Sequence, residues 1–298
     1  MKEIALIGPT ACGKSALAIE MAKECNAFIL SLDSLGIYKE IDIASAKPSK
    51  KEREEIRHFG IDVLYPNEYF NVAMFFDLYK NAKKEALTKG KNLIITGGSG
   101  FYLKAMIEGL STTLKPKKET LDKTAKIMTD LKKAFDFIKG YDPSYAQKIS
   151  DKDRYRIQKW YEIFLETDEA PSLYLKRNRQ KPVIENIKIF NIETERELLK
   201  ERIKKRTALM IKEGIVDEVF YLEQKYKRDI NPMKAIGIKE SLEYLDGFCS
   251  LKELENKIAQ NTAKLAKRQR TFNKTQFKNI QNLTKEKIKK EIYAYFKN

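Results

Sequence analysis

Residues 8–15 read Gly8-Pro9-Thr10-Ala11-Cys12-Gly13-Lys14-Ser15. This run, here called the P-loop, fits the pattern G-x-x-x-x-G-K-[ST] and lies between an apolar run at residues 4–7 and a helical pattern that begins near Ser15. Glycines let such a loop turn tightly so that its N–H groups point inward, the lysine reaches outer phosphate oxygens, and the serine can bind Mg²⁺ at the start of the helix. The sequence therefore predicts a diphosphate or triphosphate site, the alternative being an ordinary Gly-Pro turn with an exposed lysine.

The first hundred residues alternate between strand and helix patterns. Strands are predicted at residues 4–7, 27–32 and 93–96, and helices at 15–25 and from a cap at Asn71 to Gly90. Such alternation is typical of a parallel sheet, whose ligands bind at the carboxyl ends of the strands. The P-loop, Asp33 and Gly97 all fall at that edge. The predicted fold class is therefore α/β, with a doubly wound parallel sheet of the P-loop NTPase type.

A lysine-rich segment with only helical patterns interrupts this alternation. It predicts single amphipathic helices at residues 122–137 and 153–166, before a strand returns at 188–192. Helices are then predicted at 195–213 and 251–277. We therefore expect a core formed by residues 1–113 and 187–298, and an inserted all-helical domain of residues 114–186.

Composition limits the class of protein. Of the 298 residues, 42% are hydrophobic, which supports a folded core. No apolar run reaches the about 18 residues of a membrane span, and a strand begins at the N-terminus without a signal peptide. We therefore expect a cytoplasmic protein that does not contact a membrane. Three widely spaced cysteines and one histidine argue against a disulfide framework and against a Cys or His metal cluster.

The charge balance indicates a polyanionic partner. The chain has 58 Lys and Arg against 42 Asp and Glu, a formal net charge of +16, and the excess is concentrated at residues 200–206, 264–270 and 285–290. A basic surface on the later part of the chain is typical of proteins that bind nucleic acid. The alternative is a chain that uses lysine generally on solvated surfaces.

The residues that follow the strands narrow the P-loop chemistry. The strand at 93–96 runs into Gly97-Gly98-Ser99-Gly100, without the aspartate of a motor ATPase or GTPase, and no N-K-x-D motif is present. Asp33, after the second strand, can hold a proton or a metal ion, or it can simply cap a turn. The glycine run either packs a tight turn or lets a ligand approach Ser99. Arg202 and Arg206 share a helix face that is suited to phosphate or to solvent.

Six motifs occur in order along nearly the whole chain. They are Gly8–Ser15, Asp33-Ser34-Leu35-Gly36-Ile37-Tyr38, Asp42-Ile43-Ala44-Ser45-Ala46-Lys47-Pro48, Gly97-Gly98-Ser99-Gly100-Phe101-Tyr102, Ala235-Ile236-Gly237-Ile238-Lys239-Glu240 and Leu265-Ala266-Lys267-Arg268-Gln269. In these motifs the chain resembles the tRNA dimethylallyltransferases. The resemblance implies transfer of a dimethylallyl group from its diphosphate to N6 of the adenosine just 3′ of the anticodon, in tRNAs that read codons beginning with U. It also implies a P-loop core with an inserted helical domain.

The resemblance further implies roles for individual residues. Asp33, Ser99 and Arg206 would be catalytic, with Asp33 accepting a proton from the exocyclic amine and Arg206 binding diphosphate. Dimethylallyl diphosphate would bind Gly8, Thr10, Ala11, Cys12, Gly13, Lys14, Ser15 and Arg206, with the cofactor Mg²⁺ at Ser15. The tRNA would contact Asp33, Ser34, Leu35, Gly36, Ser99, Arg156, Lys159, Lys264, Lys267 and Arg268. The inserted domain would grip the anticodon stem, the reacting base would flip out, and the enzyme would act as a monomer.

The sequence also departs from the family pattern. Gly36 stands where many members have glutamine, Ser99 where threonine is usual, and Ala263-Lys264 where Arg-Gln is common. The specificity contacts at these positions and the set of tRNAs that is modified are therefore left open.

Two further interpretations concern residues outside the predicted site. His58 and Asp62 match an H-x-x-x-D of the family, and we interpret His58 as structural. In the late helix, a buried stripe of apolar residues is expected. Its members are Leu251, Leu254, Ile258, Leu265 and Phe272.

Two other functions would also use a P-loop. One is a small-molecule kinase, with Arg202 and Arg206 around the transferred phosphoryl group. The other is a non-catalytic RNA-binding protein, which accounts for the charge but not for Asp33 and Ser99 at the edge of the sheet.

Overall fold

The computed structural model describes residues 1–111 and 114–297 and divides the chain into two compact units. One unit, the core, comprises Met1–Ile107 and Val183–Asn298; the other, the helical unit, comprises Glu108–Pro182. The predicted insertion, 114–186, therefore begins and ends several residues later than the helical unit. The predicted segment ends at 113 and 298 lie outside the described residues.

Short pairings account for where the two units begin and end. In the helical unit, Gln180 N donates to Leu110 O at 2.9 Å, and Ser111 forms an antiparallel bridge with Arg179. In the core, Val183 N donates to Met106 O, also at 2.9 Å. Such backbone pairing between distant residues leaves no periodic pattern in the sequence, so the boundaries of the insertion could be predicted from the sequence only approximately.

The core contains a six-stranded sheet in which every pairing is parallel. The strands are β1 Glu3–Ile7, β2 Ala27–Ser31, β3 His58–Phe59, β4 Asn92–Gly97, β5 Lys188–Ile192 and β6 Ile280–Leu283. Their order across the sheet is β3-β2-β4-β1-β5-β6. This order confirms the predicted parallel α/β sheet and places the ends of β1, β4 and β2 side by side.

Helices surround the sheet and fill the rest of the chain. In the core they are α1 Lys14–Glu24, α2 Lys50–Glu55, α3 Val72–Thr88, α4 Gly100–Glu108, α10 Arg196–Lys212, α11 Ile215–Tyr226, α12 Ile238–Leu245, α13 Leu251–Gln276 and α14 Lys285–Lys297, with a 3₁₀ turn at Asn231–Lys234. In the helical unit they are α5 Lys118–Ile127, α6 Leu131–Tyr141, α7 Pro143–Ala146, α8 Arg154–Thr167 and α9 Pro171–Arg177. None of the helices that the structure describes has the length and apolar character of a membrane span.

The central strands are buried on both faces, as in parallel sheets that helices cover. Ile4, Leu6 and Ile94 are fully buried in a cluster that also contains residues of α1, α10 and α14. Phe75 and Tyr79 of α3 are buried as well, and α3 packs on β2 and β4. The sheet is therefore held rigidly between helices, which fixes the positions of the loops at its carboxyl edge.

The structure also corrects local predictions. Residues 122–137 do not form one helix, because one helix ends at Ile127 and another begins at Leu131. The Asp130 side chain caps the second helix by accepting a hydrogen bond from Lys133 N. An aspartate that satisfies a free N–H stabilises a new helix start there. The sequence analysis also missed the edge strand β6. The basic residues 285–290 begin α14, which buries Ile288 and Ile292 against the core.

Other elements lie where the sequence placed them. Asn71 caps α3 by accepting a hydrogen bond from Met74 N at 3.2 Å, and β5 spans the residues that were predicted for it. Asp142, buried in the helical unit, accepts hydrogen bonds from Trp160 Nε1 and Ser172 N at 3.1 and 2.9 Å. Burial raises the pKa of this carboxyl, but the hydrogen bonds to Ser172, Trp160 and Ser144 outweigh burial and hold the pKa below its usual value. The helical unit therefore has its own polar centre.

Candidate active site

The P-loop leaves the first turn of α1 open to an anion. Gly13 is the N-cap of α1, with a φ of 87°, and no side chain caps the helix there. Ala11 also has a positive φ, 62°, and Cys12 N donates to Pro9 O at 3.2 Å. The Cys12 side chain is fully buried. Uncapped N–H groups at a helix N-terminus are the usual cradle for a phosphate.

Asp33 closes a turn and keeps one carboxylate oxygen available. Its Oδ1 accepts hydrogen bonds from Leu35 N at 2.8 Å and from Gly36 N at 3.1 Å. Among the described residues, Oδ2 has no hydrogen-bond partner. The turn-capping and the chemical interpretations of Asp33 are therefore compatible, since each uses a different oxygen.

Two arginines of α10 reach the P-loop. Arg206 Nη1 donates to Thr10 Oγ1 at 3.3 Å, and Arg202 Nη1 lies 3.4 Å from Cys12 O. Burial lowers the pKa of the Arg206 guanidinium, and the nearby Asp33 carboxylate opposes that effect. A guanidinium remains charged even so, and its half-buried position strengthens its attraction for an anion.

The loops at the sheet edge and helix α13 enclose an open cleft of about 310 Å³. This volume is at the lower end of the range for small-molecule sites. The polar residues that line the cleft include Thr10, Lys14, Asp33, Ser34, Ser99, Arg206 and Gln269, together with Ser45, Thr207, Lys234 and Thr262. Apolar residues also line it, among them Met210, Ile236, Ile258 and Leu265. The structure thus brings the three predicted catalytic residues into one cavity.

A smaller cavity of about 50 Å³ lies beside the cleft and has the groups that suit Mg²⁺. Its lining includes Ser15, Ser31, Asp33 and Thr96, all of which carry side-chain oxygens. No cluster of three or more His, Cys, Asp or Glu is found in the described part of the chain. Mg²⁺ commonly needs only one or two protein oxygens because phosphates and water complete its shell. Ser15 therefore fits this ion when a bound diphosphate and water supply the remaining ligands.

The segment from Asp42 to Lys47 is held in place by Asp62 and by Glu218, a residue that no motif of the sequence marks. The Glu218 carboxylate accepts hydrogen bonds from three successive backbone groups, Asp42 N at 2.7 Å, Ile43 N at 2.7 Å and Ala44 N at 2.9 Å. Lys47, almost fully buried, donates to Asp62 Oδ1 at 2.6 Å. Ser45 of this segment lines both cavities. Glu218 therefore shapes the wall of the candidate site.

His58 lines the smaller cavity and is held by a backbone carbonyl, which is compatible with the structural interpretation. Its Nδ1 lies 2.7 Å from Ile56 O, and burial lowers its pKa, so the ring is neutral at pH 7. The carboxylate of Asp62 is bound instead by Lys47 and Arg53. Burial raises the pKa of Asp62, but the opposing effect of these two cations is larger, so the pKa lies below its usual value.

The residues predicted to contact tRNA fall into three groups. Ser34 and Leu35 line the cleft, and Gly36 lines the smaller cavity. Lys264, Lys267 and Arg268 are exposed on α13. Arg156 and Lys159 lie on α8 of the helical unit, where they are near Asp153 and Glu162, respectively.

The predicted apolar stripe on α13 is only partly buried. Leu254 and Ile258 are buried, but Leu251 is 46% exposed and Leu265 faces the cleft instead. The stripe is not uniformly buried because α13 runs past both the core and the cleft, so part of its apolar face packs in the core and part lines the cleft. Gln269, next to the predicted RNA contacts, also points into the cleft.

Lys285 is a further cation that the sequence analysis did not assign to the site. Its ammonium lies directly against Gly13, in the space that a side chain at that position would occupy. It has no hydrogen-bond or ion-pair partner among residues 1–111 and 114–297. No motif of the sequence marks Lys285, because it reaches the P-loop only through the packing of α14 on α1.

Comparisons with known proteins agree with this geometry. Residues 36–276 match the family described as IPP transferase. The tRNA dimethylallyltransferase of Aliarcobacter butzleri is 51% identical over 296 residues, 99% of each chain, and that of Nautilia profundicola is 51% identical over 98% of this chain and 99% of its own.

Solved structures are similar over the same length. A tRNA isopentenylpyrophosphate transferase from Bacillus halodurans has a TM-score of 0.71 at 28% identity, covering 99% of this chain and 95% of that one. A eukaryotic dimethylallyltransferase acting on tRNA has a TM-score of 0.80 at 25% identity, covering 96% and 74%.

The contacts of Glu218 generate the first prediction. In Glu218→Ala, the amides of Asp42, Ile43 and Ala44 lose their acceptor, so we expect their hydrogen exchange to accelerate by roughly tenfold or more. The measurement is site-resolved hydrogen exchange. Asp217→Asn, an exposed change on the same helix, is the control. Unchanged exchange at the three amides would show that Glu218 does not hold the segment.

Proposed function

The chain belongs to the tRNA dimethylallyltransferase family, and we propose that the cleft between the P-loop and α13 is the place where it joins its two substrates. The enzyme transfers a dimethylallyl group from dimethylallyl diphosphate to N6 of the adenosine that follows the anticodon, in tRNAs reading codons that begin with U. The products are N6-isopentenyladenosine and diphosphate. The observation that carries the assignment is that Asp33, Lys14 and Arg206 line one cavity.

The P-loop side of the cleft suits the diphosphate. The uncapped first turn of α1, the Lys14 ammonium and the Arg206 guanidinium are all able to bind phosphate oxygens. Their charges stabilise the leaving diphosphate as its bond to the allylic carbon breaks, which is the largest charge change in the reaction. Mg²⁺, held by Ser15, would supply further neutralisation of that charge. We include Lys285 in the diphosphate site, because its ammonium lies beside the N-terminus of α1, where its charge would add to the attraction of the helix for an anion.

The Asp33 side suits the acceptor base. As the bond between N6 and the allylic carbon forms, N6 must lose a proton, and the free oxygen of Asp33 can accept it. The other oxygen remains bound to Leu35 N and Gly36 N, so the carboxylate keeps its orientation throughout. Ser99, in the same cleft, can hydrogen-bond to the base.

The apolar part of the cleft suits the dimethylallyl group. Met210, Ile236 and Ile258 face the cavity from different segments of the core. An apolar wall favours the prenyl chain and excludes water, which would otherwise capture the cation-like carbon.

The exposed cations of α13 and the net charge of +16 suit the RNA backbone. We assign Lys264, Lys267 and Arg268 to phosphates near the reacting nucleotide. We assign the helical unit, with Arg156 and Lys159, to the anticodon stem. Because the acceptor base is normally stacked, it must flip out to reach Asp33.

A single chain provides every wall of this cleft, so we also propose that the enzyme acts as a monomer. Its acceptor is tRNA, and we therefore place it in the cytoplasm.

The proposed reaction is tested with purified protein, Mg²⁺, dimethylallyl diphosphate and an anticodon stem-loop. The RNA has an anticodon ending in A that is followed by two more adenosines. Mass spectrometry of the RNA is expected to show the gain of one dimethylallyl group without ATP. The control RNA has guanosine in place of the reacting adenosine. No gain, together with ATP consumption on small metabolites, would instead indicate a kinase.

Asp33→Asn separates the two roles of this residue. The amide oxygen can still accept from Leu35 N and Gly36 N, but the side chain is no longer a base. We expect kcat to fall by roughly 100-fold or more, the typical range for loss of a general base, while the Kd for the stem-loop changes by about twofold or less. Asp33→Ala, which also removes the turn, is the comparison variant. Equal losses of affinity and turnover in Asp33→Asn would contradict the assignment.

Lys267→Ala combined with Arg268→Ala tests the RNA surface of α13. Loss of two phosphate contacts is expected to weaken stem-loop binding and to reduce the slope of log K against log salt concentration by about 1.5. Titrations at several salt concentrations measure both quantities. Lys252→Ala, an exposed change near the start of the same helix, is the control. A slope equal to that of the unmodified enzyme would remove these residues from the RNA site.

A further inference from the structure

Gln269 joins two loops of the cleft that are far apart in the sequence. Its side-chain Oε1 accepts a hydrogen bond from Thr10 N of the P-loop at 2.8 Å. Its Nε2 donates to Gly98 O, in the turn after β4, at 3.0 Å. One amide group thus ties the loop that carries Lys14 to the turn that carries Ser99.

Only a carboxamide suits this position. Among planar, uncharged side-chain groups, only the amides of Asn and Gln have a hydrogen-bond donor and an acceptor on one carbon. Asparagine is shorter by one methylene group. Both hydrogen bonds of Gln269 are already near 3 Å, so the shorter side chain could not reach both loops from α13.

Gly98 leaves just enough room for the bridge. A Cβ at this position would lie 2.5 Å from Gln269 Nε2 and 3.9 Å from Lys14 Nζ. The first distance is too short for any real contact, whereas the second is an ordinary one. A side chain at position 98 would therefore push the Gln269 amide away, and the glycine is needed for the bridge itself.

The bridge connects the two halves of the reaction. The P-loop holds the diphosphate and the turn at Ser99 faces the acceptor base, so their separation sets the distance between the allylic carbon and N6. An error of about 1 Å in such a distance can reduce a rate by roughly 100-fold. Gln269 also lies directly after Lys267 and Arg268, which are exposed on the same helix, so bound RNA and the bridge share one rigid element.

We propose that Gln269 is a positioning residue, whose amide holds the P-loop and the Gly98 turn at the separation that the transfer requires. This inference rests on the proposed placement of the diphosphate at the P-loop. In this role Gln269 takes no part in the making or breaking of covalent bonds.

The test compares Gln269→Met, Gln269→Asn and Gly98→Ala. Methionine keeps the size of the side chain without its hydrogen bonds, and asparagine keeps the amide but cannot span both loops. We expect kcat to fall by roughly 10- to 100-fold in both variants, with KM for each substrate within about threefold and an unchanged melting temperature. Gln260→Met, an exposed change on the same helix, is the control and is expected to leave kcat unaltered.

Gly98→Ala provides an independent test, because it displaces the amide without altering residue 269. We expect a similar loss of kcat, and no further loss when Gly98→Ala is added to Gln269→Met, since the bridge is already absent. Normal kcat in Gln269→Met or Gln269→Asn would overturn the proposal. Fully multiplicative losses in the double variant would overturn it as well.

Failure of the underlying assignment would look different. Lys14→Met is expected to weaken dimethylallyl diphosphate binding strongly if the diphosphate occupies the P-loop. Unchanged binding in Lys14→Met would contradict the proposed function. A normal Gln269→Met beside a defective Lys14→Met would contradict only the positioning role.

Discussion

The parallel alignment of β1, β4 and β2 is the constraint on which the rest of the structure depends. Ile7 pairs with Gly97, and Ser31 pairs with Thr96, so three strands end at the same level. A parallel sheet sends every chain out at the same edge, and the P-loop, the glycine turn and Asp33 therefore emerge together. This alignment brings Lys14, Asp33 and Ser99 to one cleft.

Residues at the carboxyl edge of the sheet have packing roles that are compatible with the chemistry proposed for this edge. Gly97 is pressed against the carbonyl of Leu32, so a side chain there would force the β2 end away. The next residue, Gly98, instead makes room for Gln269. Asp33 likewise closes a turn with one oxygen, while the other has no hydrogen-bond partner among the described residues. The structural interpretation of these motifs and the proposed function are compatible because they concern different atoms.

Helices α10 and α13 contribute further side chains to the cleft at the sheet edge. Arg206 reaches Thr10 across 196 positions of sequence, and Gln269 reaches it across 259. Because α10 and α13 pack together and contribute to the same core as the strands, their polar side chains are held without needing partners in solvent. Rigid support of this kind places charged groups before the substrate arrives, which lowers the cost of reorganisation during the reaction. The basic outer side of α13 remains exposed.

The sequence by itself determined the P-loop, the parallel sheet, the presence of a helical insertion and seven of the residues that line the cleft, among them Asp33, Ser99 and Arg206. The strands and helices depend on local periodicity and on capping residues such as Asn71, and the cleft residues lie in or were assigned from short motifs that resemble those of a known family. Tertiary structure alone decided the edge strand β6, the Glu218 contacts, the approach of Lys285 to Gly13 and the Gln269 bridge. The physical reason is that these contacts join residues that are distant in sequence, mostly at backbone groups, and a backbone N–H or carbonyl carries no residue-specific signal.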